Sequence, residues 1–365
     1  MSLLNQAVKC FEQGDLVNAQ CQLLLVLRQD PQDIAALNLL GIIKLRSNHV
    51  AGAIDYFNQA LEYSSDKQTL MNLALAYIQA EKFAQALPLL KDVIEINPKD
   101  SNALNALGNI YRIKGEHKKA SQYLKKAYAL APNNPQVFEN IAWLALAQGE
   151  YADAIAKFSA LLKSFPLNNQ VKLGLASALL KVKQLDEALA LLLTLDQQSP
   201  NNGEIINMLG VVYNLQHQAP AAKAQFEKLL TLYPEHSEAL FNLGNIYEQQ
   251  GNAQQAAVLY LKVISIKPLF FDAYFHLSLV NEQSQTLATL THWQALWTEN
   301  KNSSKSYLLA FALGRAYEQI KQYKEAFQWF SKAREQLNNV SSYNFNKQEQ
   351  LIAQLMSAPK KITSE

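Results

Sequence analysis

Six prolines in this chain, Pro98, Pro132, Pro166, Pro200, Pro234 and Pro268, follow one another at intervals of 34 residues. Pro31 lies 67 residues before Pro98, two intervals with one deletion. Glycines keep the same beat. Gly41, Gly108, Gly210, Gly244 and Gly314 share one phase, and Gly14, Gly115, Gly149 and Gly251 recur seven residues later in the unit. Residues that end helices and turn chains cannot recur this way in a fold with one irregular core; self-similarity at a fixed period marks a stacked repeat architecture.

Each interval reads as two short helices. In the clearest unit, 101–134, Leu104, Leu107, Gly108 and Tyr111 fall at i, i+3, i+4 and i+7, one helical face. Gly115 ends that helix by way of the left-handed conformation. A second amphipathic stretch with Ala120, Leu124 and Ala127 inward runs on until Pro132 forbids continuation. Small residues at Gly108 and Ala120 are expected where the two helices cross. The expected fold class is all-α, an α-α superhelix of about ten helix-turn-helix units beginning near residues 1, 34, 67, 101, 135, 169, 203, 237, 271 and 307. The ninth is degenerate, with Ser278 in the glycine phase and its second helix, around 288–297, out of register. Residues 1–340 form the expected array. The tail, 341–365, is expected to hold a capping helix at 348–357, with Leu351, Ile352, Leu355 and Met356 on one stripe, and then a disordered end.

This pattern resembles the tetratricopeptide repeat, with Leu-Gly, Tyr, Ala, an aromatic and Pro at fixed offsets. Leu209, Gly210, Tyr213, Ala222, Phe226 and Pro234 carry it in the seventh unit; Leu243, Gly244, Tyr247, Ala256, Tyr260 and Pro268 carry it in the eighth. The resemblance implies a right-handed solenoid whose first helices line a concave groove, and a protein or peptide partner in that groove. Residues 306–333, with Phe311-Ala312-Leu313-Gly314 and then Tyr323 and Ala333, are also similar to the last repeat of bacterial proteins that join such arrays to a sulfotransferase domain. No Pro-Arg-Ser-Gly-Thr phosphate-binding loop follows here. The alternative function is therefore the substrate-presenting repeat portion of a sulfotransferase, without its catalytic domain.

Chemistry-bearing motifs point away from catalysis. The chain has no P-loop, no G-x-G-x-x-G, no H-E-x-x-H, no G-x-S-x-G and no C-x-x-C. Its six histidines are scattered and read as solvated; Cys10 and Cys21 read as small apolar groups rather than reactive thiols. No enzyme, catalytic residue, metal site or cofactor is expected. A net charge of +2 gives no case for nucleic acid. No apolar run approaches the ~20 residues of a membrane span, and no basic-then-apolar start suggests secretion. A cytoplasmic monomer or weak homodimer is the expectation.

The candidate binding residues come from the groove positions, counted from the first residue of each unit. Position 5 carries Asn38, Asn105 and Asn207; position 6 carries Asn72, Asn140 and Asn242; position 9 carries Asn109 and Asn245; position 12 carries Arg112 and Asn214. Asparagine is a mediocre helix former, so its recurrence inside helices needs a reason. One is recognition of an extended main chain, since each amide is both donor and acceptor; this is similar to the asparagine ladder of the O-linked N-acetylglucosamine transferase repeats. The other is hydrogen bonding to water or between adjacent helices. No lysine occupies position 5, so the carboxylate clamp of chaperone-binding repeats is not expected. Position 5 ends instead in Phe241, Phe275 and Phe311, an apolar patch flanked by Arg315, Glu248, Glu282 and Glu318, or else rings tilted into the core. The four tryptophans read as packing residues.

Overall fold

A computed structural model describes residues 2–280 and 287–340, with the side chains of 339 and 340 excepted. The expected 348–357 helix and Glu282 lie outside the described residues. Those residues form twenty helices and no strand. First helices of the successive pairs are α1 (Leu3–Glu12), α3 (Ile34–Arg46), α5 (Lys67–Gln79), α7 (Ser101–Ile113), α9 (Pro135–Gln148), α11 (Asn169–Lys181), α13 (Gly203–Leu215), α15 (Ser237–Gln249), α17 (Phe271–Val280) and α19 (Ser306–Gln319). Second helices are α2 (Leu16–Gln29), α4 (Val50–Tyr63), α6 (Phe83–Ile96), α8 (His117–Leu130), α10 (Tyr151–Ser164), α12 (Leu185–Gln198), α14 (Ala219–Leu232), α16 (Ala253–Ile266), α18 (Leu287–Asn300) and α20 (Tyr323–Val340). This is the α-α superhelix class that the period implies. None of the described helices is long and apolar enough to cross a membrane.

The chain divides into two compact units, 1–191 and 192–365. In the first, the neighbouring first helices α3, α5, α7, α9 and α11 touch in succession, and each second helix from α4 to α10 packs between its own first helix and the next.

Local chemistry starts and stops each helix. Two residues after five of the six interval prolines stands a residue that caps the next first helix: Asp100, Asn134, Asn168, Asn202 and His236 each accept from main-chain N–H groups of the opening turn. Between the two helices of a pair one residue is left-handed. Gly14, Gly115, Gly149 and Gly251 take that conformation with φ of 74–81°, and Asn48, Glu81, Lys183, His217 and Lys321 take it with φ of 57–62°. Five side chains thus stand where glycine is cheapest, each at a cost of about 1–2 kcal/mol.

The other glycine phase sets how closely the helices approach. A Cβ added at Gly108 would lie 2.6 Å from Leu124, at Gly210 2.6 Å from Phe226 and at Gly244 2.6 Å from Tyr260. Phe57 and Phe330 cover Gly41 and Gly314 in the same way. The residue facing Gly108 is therefore Leu124, one turn beyond the expected Ala120, although Ala120 is itself fully buried. Phe57, Phe158, Phe226 and Tyr260 are all completely buried, each a large knob seated on a glycine: Phe57, Phe226 and Tyr260 on Gly41, Gly210 and Gly244 of their own pairs, and Phe158 on Gly174 of the next. Cys21 is exposed and Cys10 half-buried, so the expectation of two small core groups fails for Cys21: it occupies an outward phase of α2.

Candidate functional site

The asparagines on α3, α5, α7 and α9 fall into two bridged pairs. Asn72 Nδ2 donates to Asn38 Oδ1 at 2.9 Å, and Asn140 Nδ2 donates to Asn105 Oδ1 at 2.9 Å. Each bond runs from position 6 of one repeat to position 5 of the repeat before. Asn38 Nδ2 also donates to Thr69 Oγ1 at 2.8 Å, and Gln68 donates to Asn72 Oδ1 at 2.9 Å. Asn72 is only 6% exposed, and its amide is engaged at both ends. The amides thus tie neighbouring helices together, while Asn105, Asn109 and Asn140 each keep one amide end without a hydrogen-bond partner among the described residues.

Those free ends face one cleft. Asn72, Asn105, Asn109 and Asn140 line a cavity of about 440 Å³ between α5, α7 and α9, with Gln68, Asn102 and Gln136 adding further amides. Met71, Leu75, Ile78 and Ala106 give it apolar surface. Lys67 and Asp100, paired at 2.9 Å, close one side. Burial pushes the Asp100 carboxyl up, but the Ala103 N–H and the Lys67 ammonium outweigh it and hold its pKa below the ordinary value. At the far turn of α7, Asn109 Oδ1 accepts from Arg112 Nε at 3.2 Å and Nη2 at 2.8 Å. The guanidinium lies 5.8 Å from the centre of the Trp143 ring, which meets Phe158 edge-on.

The remaining predicted residues lie in the second unit and do not join that cleft. Asn207 Nδ2 donates to Glu238 at 3.2 Å while its Oδ1 is buried without a partner. Asn214 and Asn242 are half-buried. Asn245 Oδ1 lies 2.8 Å from the Tyr260 hydroxyl, which also donates to Glu248 Oε2 at 2.6 Å. Burial, reinforced by the Glu248 carboxylate, pushes the Tyr260 pKa far above the ordinary phenol range.

Phe241, Phe275 and Phe311 are half-buried rather than an open patch. Phe241 packs on Tyr260, Phe270 and His276; Phe275 packs on His276 and Phe311; Phe311 packs on Tyr307 and Phe330. Arg315 Nε donates to the Ser278 carbonyl at 3.3 Å. Glu248 is the acceptor at the heart of the cluster and not a flanking charge. His276 is the residue that sequence reasoning missed. It was expected to be solvated, yet it is half-buried among three aromatic rings with Nδ1 2.8 Å from Glu248 Oε2. Its signal was available: it holds position 6 beside Phe275 at position 5. Trp143 and Gln68 were also absent from the predicted site. Among the described residues, no group of His, Cys, Asp and Glu could hold a metal ion.

Comparison with known proteins returns one family. Tetratricopeptide repeat profiles match residues 71–135, 140–203, 216–269 and 307–334. Cellulose synthase operon protein C of Escherichia coli K12 is 39% identical over 85 residues, 21% of this chain and 7% of that protein. The bovine BBSome complex member BBS4 is 30% identical over 103 residues, 28% of this chain and 20% of that protein. The chain thus matches well under two thirds of the length of these curated relatives. The human IFIT1 dimer, solved with m7Gppp-AAAA, superposes with a TM-score of 0.55 at 15% identity, over 92% of this chain and 89% of that one. That likeness is one of fold. With the period, the paired helices and the profile matches over more than half its length, the chain belongs to the tetratricopeptide repeat family.

Proposed function

We propose that this chain is a non-catalytic interaction scaffold that binds an extended peptide along the first-helix groove of its first unit. Proteins of this family generally bind other proteins; the groove assignment rests on one observation. Asn105 and Asn109 each spend only their carbonyl oxygen on a neighbour, and both amide nitrogens remain for a ligand in the α5–α7–α9 cleft. Four residues of helix rise about 6 Å, and two residues of an extended chain advance about 6.6–6.8 Å. Successive donors on α7 therefore meet successive carbonyls on one edge of an extended segment, and Asn140 Oδ1 accepts from its N–H groups. Met71 and Leu75 take apolar side chains from the other edge.

The test is the double substitution Asn105→Ala with Asn109→Ala. A hydrogen bond contributes about 0.5–1.5 kcal/mol net, so peptide affinity should fall roughly tenfold with little change in melting temperature. A large fall in melting temperature with unchanged affinity overturns the reading and leaves the amides as helix ties. A second setting is favoured by the Phe311-Ala312-Leu313-Gly314 motif of α19, which follows the degenerate ninth repeat with Ser278 in the glycine phase. There the same scaffold would present substrate to a sulfotransferase domain. A longer reading frame with a phosphate-binding loop downstream supports that setting, and a frame without one overturns it.

A further inference from the structure

Arg112 is a half-buried cation for which none of the described residues supplies a counter-charge. Nε and Nη2 both donate to one neutral oxygen, Asn109 Oδ1, and Nη1 has no partner among the described residues. The acids on neighbouring segments are committed elsewhere: Glu139 on α9 accepts from Asn168 Nδ2 at 3.5 Å, and Glu116 beyond the end of α7 pairs with Lys119 at 2.6 Å and Lys114 at 3.6 Å. Trp143 covers one face of the guanidinium, which removes water without supplying negative charge. Burial accordingly lowers the pKa of Arg112. Holding a cation away from water without an anion is unfavourable, and the guanidinium fork is shaped to receive a carboxylate.

Its position gives that fork a register. Asn105, Asn109 and Arg112 stand on one face of α7, with Arg112 about 4.5 Å of rise beyond Asn109. Resting on the groove reading above, we propose that Arg112 selects the charge and register of the bound segment. The partner is an extended chain with an aspartate or glutamate side chain directed at Arg112 and its preceding main chain on the two asparagines. A nucleic acid fits this face less well, because a phosphodiester backbone needs several cations in a row. The cleft is lined by amides and by one lysine already paired with Asp100.

The experiment is a phage selection from a random dodecapeptide library, fused through its carboxyl end, on the immobilised full-length chain. Wild type, Arg112→Gln, Arg112→Lys, Arg112→Glu and the Asn105→Ala, Asn109→Ala double variant are compared. Wild type should enrich an acid at one fixed position. Arg112→Gln should lose that enrichment and bind the wild-type peptides about tenfold more weakly, while Arg112→Lys keeps the preference. Arg112→Glu should select lysine or arginine at the same position, an outcome that loss of folding cannot produce. Peptides without a fixed acid that are weakened by the asparagine double variant but not by Arg112→Gln overturn this inference and leave the groove reading standing. No enriched peptide, or peptides indifferent to the asparagines, overturns both. An oligouridylate 12-mer that binds more tightly than any selected peptide, in an Arg112-dependent way, also overturns it.

Discussion

The two units use one backbone plan and present different chemistry on it. At position 2 the first unit carries Gln68, Asn102, Gln136 and Gln170; the second carries Glu204, Glu238 and Asp272. At position 5 the first unit includes Asn38 and Asn105, each bridged to the next repeat, and the second includes Phe241 and Phe275, both packed on His276. The second-helix knob is Phe57 or Phe158 in the first unit and Phe226 or Tyr260 in the second. Stacking restricts the glycine, the knob and the cap, because each is in close contact with its own or the adjoining helix, as Gly41, Gly210 and Gly244 are with Phe57, Phe226 and Tyr260. Groove positions touch a neighbour only through side-chain tips, so they can change chemistry without changing the fold. One scaffold thus carries a neutral, amide-lined face and an aromatic face with acids.

The largest effect that sharpens this contrast is removal of a knob. Phe158→Ala and Phe226→Ala should each destabilise their own unit by about 3–5 kcal/mol, since both rings are fully buried against glycine. Hydrogen exchange should show the loss in the helices that touch the mutated pair. Equal loss of protection across residues 2–340 from either variant would break the comparison.

Next comes the phenol. Tyr260→Phe makes the knob like Phe226 and should cost about 1–2 kcal/mol, because it takes a hydrogen bond from Glu248. Alkaline pH probes the same chemistry. Tyr260 is pushed far upward, and burial pushes Tyr274 up to about 12. For a group whose folded pKa is raised, the stabilising contribution is complete below the unfolded value near 10 and is lost as pH rises from there through the folded value. Circular dichroism melts at pH 9 and pH 11 should therefore show alkaline loss that Tyr260→Phe and Tyr274→Phe each reduce. A loss unchanged in both variants would place its origin elsewhere.

The smallest effect tests what the units share. Lys183→Gly in the first and Lys321→Gly in the second relieve about 1–2 kcal/mol of left-handed strain. Each restores about 0.4–1 kcal/mol of unfolded-chain freedom. The net gain should be about 0.5–1 kcal/mol at both sites, read from thermal melts. A gain in only one unit would show that the turn itself differs between them.

Helix pairs were readable from the chain because Pro and Gly act through the backbone, where their effect depends on nothing distant. The fold class followed from that alone. Groove chemistry was readable as composition but not as bonding. Asn38 and Asn72 stand 34 residues apart and Asn105 and Asn140 stand 35 apart, so the spacing that predicts stacking also predicts that these amides meet. Which end of each amide stays free depends on rotamers that periodicity does not carry. Leu124 rather than Ala120 faces Gly108 because a long side chain reaches back one turn along its helix. His276 was misread because scattering along the chain says nothing about a residue whose partner, Glu248, belongs to the preceding repeat.

The Tyr260 hydroxyl also has a mechanical meaning. Three helices converge on Glu248 Oε2: α15 through Glu248 itself, α16 through Tyr260 and α17 through His276. Over Gly41, Gly108, Gly210 and Gly314 the knob is a plain hydrocarbon side chain, Phe57, Leu124, Phe226 or Phe330, which can slide over a glycine under load at little cost per ångström. Here extension must pull charged hydrogen bonds of 2.6 and 2.8 Å apart before the helices separate. Pulled from its ends, the chain should yield first where rings only slide, and this repeat should act as a rivet.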